Sequence, residues 1–247
     1  MHNTTPACVH FHKTVFFIYF PLKNYVIIVA GGSGTRMKSH VPKQFLELNG
    51  KPILMHTINR FIQAIPDIHV IVVLPSLNLK NWEALCVKNN FTIPHQITEG
   101  GETRFHSVKN GLALIPEDAV VGIHDAARPL VGISTIIKAY QTATSKGNAI
   151  PAIPLTESVR EVIGTENKAV PRDNYFIIQT PQCFQSTLIK KAFLQEYNSS
   201  FTDDASVLEA NGEKINLIEG NQENIKITTP IDFIIAQQLI KSDIQSL

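Results

Sequence analysis

Cysteine is scarce in this chain, and what there is cannot build a framework. Cys8, Cys86 and Cys183 are odd in number and far apart, so neither a disulfide scaffold nor a metal knuckle is expected. Each reads as a small apolar residue in a reducing compartment. The nine histidines show no ligand spacing. An excess of either charge is also missing: 22 Lys and Arg stand against 21 Asp and Glu, with no basic block. That removes the electrostatic footprint of a nucleic-acid binder but leaves room for a small anion held by a few local cations. Runs long enough to span a bilayer are absent too. The burst VFFIYF behind Lys13 is far too short, and no small-residue cleavage site follows it. The expectation is a cytoplasmic protein that engages neither membrane nor nucleic acid. Residues 1–24 are read as a disordered extension, and the catalytic domain as 25–247, beginning at Tyr25.

What is present is most concentrated between Val26 and Lys43, VIIVAGGSGTRMKSHVPK. Val26 to Val29 is apolar on both faces and stops at glycines, the pattern of a buried strand. Gly31, Gly32 and Gly34 let main-chain N–H groups approach an anion closely. Arg36 offers a planar fork of donors and Lys43 a mobile point charge, both suited to phosphate oxygens. The glycine spacing fits neither the dinucleotide fingerprint nor the ATPase loop.

Further on, apolar runs alternate with helical patterns. Helices are expected over Lys51–Ala64, Asn78–Asn89, Thr103–Leu114 and Ser134–Lys146, the last closed by Gly147. Strands are expected over His69–Leu74, His95–Ile97, Val120–His124 and Ala149–Pro154. This alternation implies an α/β fold: a Rossmann-like, mostly parallel sheet with helices on both faces. In such sheets ligands sit beyond the carboxyl ends of the strands. The loop at Gly31, the turn EGGETR (Glu99–Arg104) and HDAARP (His124–Pro129) each follow a strand and should line one crevice. Ser158–Asn174 is too polar for a core and turns at Gly164–Asn167, so a projecting β-hairpin arm is expected over about 157–174, packed on a second subunit. Beyond it, Phe176–Gln179, Ile215–Ile218 and Ile225–Thr228 read as strands, and Ser186–Tyr197, Thr202–Asn211 and Pro230–Lys241 as helices.

AGGSGTRM, PKQF, EGGETR, HDAARP, TPQ, TDDAS and NIKITTP occur in that order between Tyr25 and Lys241. Together they resemble the 2-C-methyl-D-erythritol 4-phosphate cytidylyltransferases, the nucleotidyltransferase family of the non-mevalonate isoprenoid pathway. The resemblance implies transfer of CMP from CTP to the polyol phosphate, with release of pyrophosphate and formation of 4-diphosphocytidyl-2-C-methyl-D-erythritol. The alternative is the sister enzyme acting on D-ribitol 5-phosphate, which usually carries Ser and Val in place of Ala126 and Ala127. Mg²⁺ is implied, held mainly by the CTP phosphates and not by a set of protein ligands. A homodimer by arm exchange is implied as well.

Motif positions carry the implied roles. Arg36, Lys43 and Lys226 would be catalytic, the first two on the triphosphate and Lys226 on the α-phosphate. Ala30, Gly31, Gly32, Gly34, Gly101, Glu102, Ser107 and Asp125 would bind the nucleotide. Asp125 and Arg128 would face the polyol, with Ser158 and Arg172 of the neighbouring arm on its phosphate. Glu102 stands where the family often has Asp, and Ser158 where it often has Thr.

The chemistry explains the cations. Both reactants are anionic, and a unit-charge pair at 4 Å is worth roughly 4 kcal/mol at an effective dielectric near 20. The nucleophile is a phosphate oxygen, already largely dianionic at neutral pH with a second pKa of about 6. No general base is required, so catalysis reduces to positioning and charge stabilisation.

Overall fold

The computed structural model describes residues 22–31 and 41–245. Strand β1 (Lys23–Val29) begins at Lys23 and not at Tyr25, because Lys23 and Asn24 already pair with Ala119 and Val120. Its side chains alternate between two buried faces. Val26 and Ile28 join one apolar cluster with Leu54, Ile58, Phe61, Trp82 and Ile136, whereas Ile27 joins another with Phe105, Val108, Ile189 and Leu208. A strand covered on both sides shows the unbroken apolar run seen in the sequence.

In chain order, a small ribbon of β2 (Glu47–Leu48) and β3 (Lys51–Pro52) leads into α1 (Ile53–Ala64). There follow β4 (His69–Leu74), α2 (Leu79–Lys88), β5 (Gln96–Glu99), α3 (Arg104–Leu112), β6 (Ala119–Asp125), α4 (Ile133–Lys146) and β7 (Asn148–Pro154). Gly147 closes α4 at φ 92°, a conformation open to few other residues. Residues of α1, α2 and α4 fill the first cluster, and those of α3 fill the second together with two later helices, α5 (Ser186–Ala192) and α6 (Asp204–Ala210). The chain ends in β12 (Leu217–Glu219) and α7 (Pro230–Gln245). Helices therefore cover both faces of the sheet, as the alternation implied.

The second half departs from the simple pattern. After β7 come the hairpin β8 (Arg160–Ile163) and β9 (Glu166–Ala169), then β10 (Phe176–Ile178) and β11 (Gln182–Gln185). The strand order is β10-β7-β11-β6-β1-β4-β5, with β12 also on β7. β11 is not among the expected strands; it lies between the strand expected to end at Gln179 and the helix expected from Ser186. It runs antiparallel because the returning chain retraces β7: Phe176 pairs with Pro154 near one end, and Cys183 with Ala149 near the other. β11 also pairs with β6, so it lies inside the sheet.

A second correction concerns Ile225–Thr228, which is no strand. The Ile227 N–H donates to the Ala127 carbonyl at 2.8 Å, and its side chain is buried with Leu130, Ala236 and Ile240. The Asp232 carboxylate then accepts from the N–H groups of Thr228 and Thr229 and turns the chain into α7. The expected α5 is also shorter, ending at Ala192 and not at Tyr197.

The β8–β9 arm projects as expected. Val162 and Ile163 are 68% and 69% exposed, and Phe176 and Ile177 of β10 are nearly half exposed.

Candidate active site

The carboxyl ends of the parallel strands open onto one cleft of about 430 Å³, a size suited to a small-molecule ligand. β1 and the two residues after it contribute Val29, Ala30 and Gly31, and the loop after β4 contributes Pro75 and Ser76. The turn after β5 supplies Gly100 to Arg104, β6 supplies Asp125 to Ala127, and Lys43, Gln44, Ser107 and Lys226 complete the wall. Adjacent strands bring these loops together: Val29 pairs with both Val73 and Asp125, so β1, β4 and β6 end level.

The turn after β5 is set by side chains of its own sequence. Thr103 caps α3 by accepting from the His106 N–H. The Ser107 hydroxyl accepts from the Gly101 N–H at 3.0 Å and donates to the Thr103 carbonyl at 2.9 Å. Gly101 is required by close packing, since a Cβ there would stand 2.4 Å from His106 Cβ. On the opposite wall Gln44, almost fully buried, donates to the Ala30 carbonyl at 2.7 Å and fixes the exit of β1. Thr57 of α1 ties the Ala126 carbonyl at 2.9 Å.

Charge gathers around Asp125. Its Oδ2 lies 3.0 Å from Lys226 Nζ and accepts from Arg128 Nε at 3.2 Å, while Arg104 Nε is 3.9 Å from Oδ1. Burial pushes this carboxyl upward, but Lys226, Arg104 and Arg128 outweigh it and hold it well below the usual carboxylate range. Arg104 is in turn gripped by Asp204 through two parallel bonds of 2.8 and 2.6 Å. Burial opposes its charge, yet the Asp204 carboxylate more than offsets that and raises the guanidinium above its ordinary value. Arg128 also donates to the Asn224 carbonyl at 2.7 Å.

His124 braces the cluster from below. Its Nδ1 faces Thr180 Oγ1 at 3.0 Å and its Nε2 faces the Arg128 carbonyl at 3.1 Å, with the edge of Phe61 alongside. Burial lowers its pKa to about 4, so the ring is neutral at physiological pH. It is a buried, hydrogen-bonded core histidine.

A sequence model of the 2-C-methyl-D-erythritol 4-phosphate cytidylyltransferases matches residues 24–242. The chain belongs to this cytidylyltransferase family. The protein of that name from Phocaeicola vulgatus is 48% identical over 219 residues, covering 89% of this chain and all of its own. The one from Bacteroides fragilis is 48% identical, covering 87% of this chain and 98% of its own. Among solved structures, the Francisella tularensis cytidylyltransferase is 35% identical with a TM-score of 0.71, over 87% of this chain and 99% of its own. The Thermus thermophilus one is 26% identical with a TM-score of 0.66, over 87% of this chain and 98% of its own.

Of the residues singled out from sequence, Ala30, Gly31, Lys43, Gly101, Glu102, Ser107, Asp125 and Lys226 line this cleft together. Gly32, Gly34 and Arg36 lie outside the described residues. Arg128 does not line the cleft; it is turned inward against Asp125 and Asn224. Ser158 and Arg172 sit exposed at the arm and do not line this chain's own cleft, with Arg172 donating to the Thr156 carbonyl at 2.6 Å. Arg104 was missed although it stands inside the EGGETR motif. In TDDAS only Asp203 caps α6, through a capping box with Ser206, while Asp204 holds Arg104.

Proposed function

We propose that this chain transfers CMP from CTP to 2-C-methyl-D-erythritol 4-phosphate, releasing pyrophosphate. The observation that carries the reading is the meeting of Lys43, Lys226, the EGGETR turn and Asp125 in one cleft, although they are scattered through the chain. Ala30, Gly31 and Gly101 leave room for a flat ring, and Glu102 and the main-chain carbonyls of the turn offer acceptors to the exocyclic amine of cytosine. Lys43 and Arg36 take the triphosphate. Lys226 neutralises charge growing on the α-phosphate as the polyol phosphate attacks in line. Asp125 faces the polyol, and Arg128 holds it from behind.

Mg²⁺ belongs to the substrate in this reading, as the metal complex of CTP. Asp125 is already ringed by cations, and no group of three His, Cys, Asp or Glu side chains stands together among the described residues. The triphosphate oxygens would hold the metal, which would neutralise charge on the departing pyrophosphate.

The active unit is a homodimer in which each arm reaches the other subunit's cleft. A lone two-stranded arm is marginally stable. The exposed Val162, Ile163, Phe176 and Ile177 give it and the neighbouring β10 apolar surface to bury. Ser158 and Arg172 then bind the polyol's phosphate in trans. The site of action is the cytoplasm; among the described residues no helix is long and apolar enough to cross a membrane.

The test is pyrophosphate release with methylerythritol phosphate across the four nucleoside triphosphates, repeated with ribitol 5-phosphate. CTP with methylerythritol phosphate is expected to be at least about 100-fold better than UTP, since a site that pairs the cytosine amine leaves its acceptors unmatched by uracil. Equal rates with CTP and UTP would overturn the base assignment, and a preference for ribitol 5-phosphate would overturn the polyol.

A further inference from the structure

Lys226 has two claims on one ammonium. Its Nζ rests 3.0 Å from Asp125 Oδ2, whereas the function proposed above needs it on the α-phosphate. Asp125 has a side chain only 12% exposed, and a carboxylate so enclosed resists losing a counter-ion unless another remains. Arg128 shares the same oxygen but is fixed by its bond to the Asn224 carbonyl. Arg104 approaches the other oxygen, Oδ1, and lines the cleft.

We propose that Arg104, steadied by the buried Asp204, is the counter-charge that stays on the Oδ1 side of Asp125, with Arg128 remaining on Oδ2, when Lys226 turns to the nucleotide. The inference rests on Lys226 meeting a phosphate. Three observations support it. The Arg104–Asp204 fork has two parallel bonds, and the Asp204 side chain is 1% exposed, so the guanidinium cannot wander. The fork uses Nη1 and Nη2 and leaves Nε as the nitrogen near Asp125. The Nε to Oδ1 distance of 3.9 Å is about 1 Å longer than a charge-assisted hydrogen bond, a gap that a small turn of the Asp125 carboxylate closes once Lys226 leaves. Arg104 and Asp204 are thus positioning residues for Lys226, acting through Asp125.

The test reads Lys226 directly. Amine acetylation of the nucleotide-free protein, followed by peptide mass spectrometry, gives the modification rate of Lys226 relative to other lysines. In Arg104→Gln, Asp125 keeps fewer cations and holds Lys226 harder, so modification is expected to slow about three- to ten-fold. Arg104→Gln leaves Asp204 buried without its partner and can fail to fold. The double variant Arg104→Gln with Asp204→Asn removes the charges as a pair, and the same slowing is expected in it. Its turnover number should fall at least about ten-fold while KM for CTP stays within about three-fold. An unchanged Lys226 modification rate in the folded double variant would overturn the proposal, because a merely structural pair would lower the melting temperature and leave Lys226 as it was. A wild-type protein that releases pyrophosphate with none of the triphosphates would instead sink the nucleotide reading.

Discussion

Asn224 donates its side-chain amide to the Thr180 carbonyl at 2.8 Å, just ahead of the lysine that faces the cleft. Lys226 therefore sits on a tethered segment and not on a strand. The tether has three points: the Asn224 amide, the Asn224 carbonyl held by Arg128, and the Ile227 N–H on Ala127. Asn224→Ala leaves the buried Thr180 carbonyl unsatisfied. It should cost about 1–3 kcal/mol of stability and lower turnover more than nucleotide affinity. Urea titration together with steady-state kinetics checks both.

Lys226→Ala and Lys43→Ala should each lower kcat by about 100-fold or more, the size seen when a preorganised group facing developing charge is removed. Pyrophosphate release at saturating CTP is the measurement. A loss of only a few-fold for Lys226→Ala would remove it from the reaction.

Gly101→Ala places a Cβ 2.4 Å from His106 Cβ and 3.0 Å from the His106 carbonyl carbon. The turn must move away from the start of α3, and with it the Gly101 N–H that meets Ser107. Nucleotide affinity should fall at least about ten-fold, while the buried core below is untouched and stability drops by about 1–3 kcal/mol. Calorimetric titration with CTP separates these effects.

Acid should weaken the fold through His124. Its folded pKa of about 4 lies below the ordinary 6.5. Between those values the unfolded chain binds the proton and the folded one does not, so stability is full above pH 6.5 and falls as pH drops towards 4. The loss is about 3 kcal/mol at the bottom of that window. Asp125 adds its own loss only at lower pH, since its carboxyl is held below the usual range and stays ionised throughout this window. Thermal melts from pH 4 to 7 should show the slope, and His124→Gln should reduce it, leaving the share of His56, whose pKa burial also lowers.

If the arms cross between subunits, inactive variants should rescue one another. Lys226→Ala and Arg172→Ala subunits, mixed after dissociation, would place one intact core opposite one intact arm in every mixed dimer. Random pairing then restores about a quarter of wild-type activity, whereas an arm acting on its own subunit restores none.

Much of the cleft was readable because its parts are local. Gly31, Gly101 and Asp125 each follow a strand whose apolar run announces it, and parallel packing brings strand ends level. What escaped depended on distant partners. β11 is four residues long and takes its place from β6 and β7, so QCFQ carries no period of its own. NIKIT alternates like a strand, but Ala127, Thr180 and Arg128 determine its path. Arg104 looked like an ordinary first-turn residue because its partner, Asp204, belongs to a helix near the other end of the chain.

The chain leaves the sheet at Pro154 and comes back beside it at Phe176, the excursion being pinched at its base by the Leu155 N–H on the Tyr175 carbonyl. The arm is thus a cul-de-sac. It can be lengthened, shortened or redecorated without shifting the register of β6 and β1 beneath the cleft. Length changes at the tip of the arm are thereby kept apart from the strand that carries Asp125.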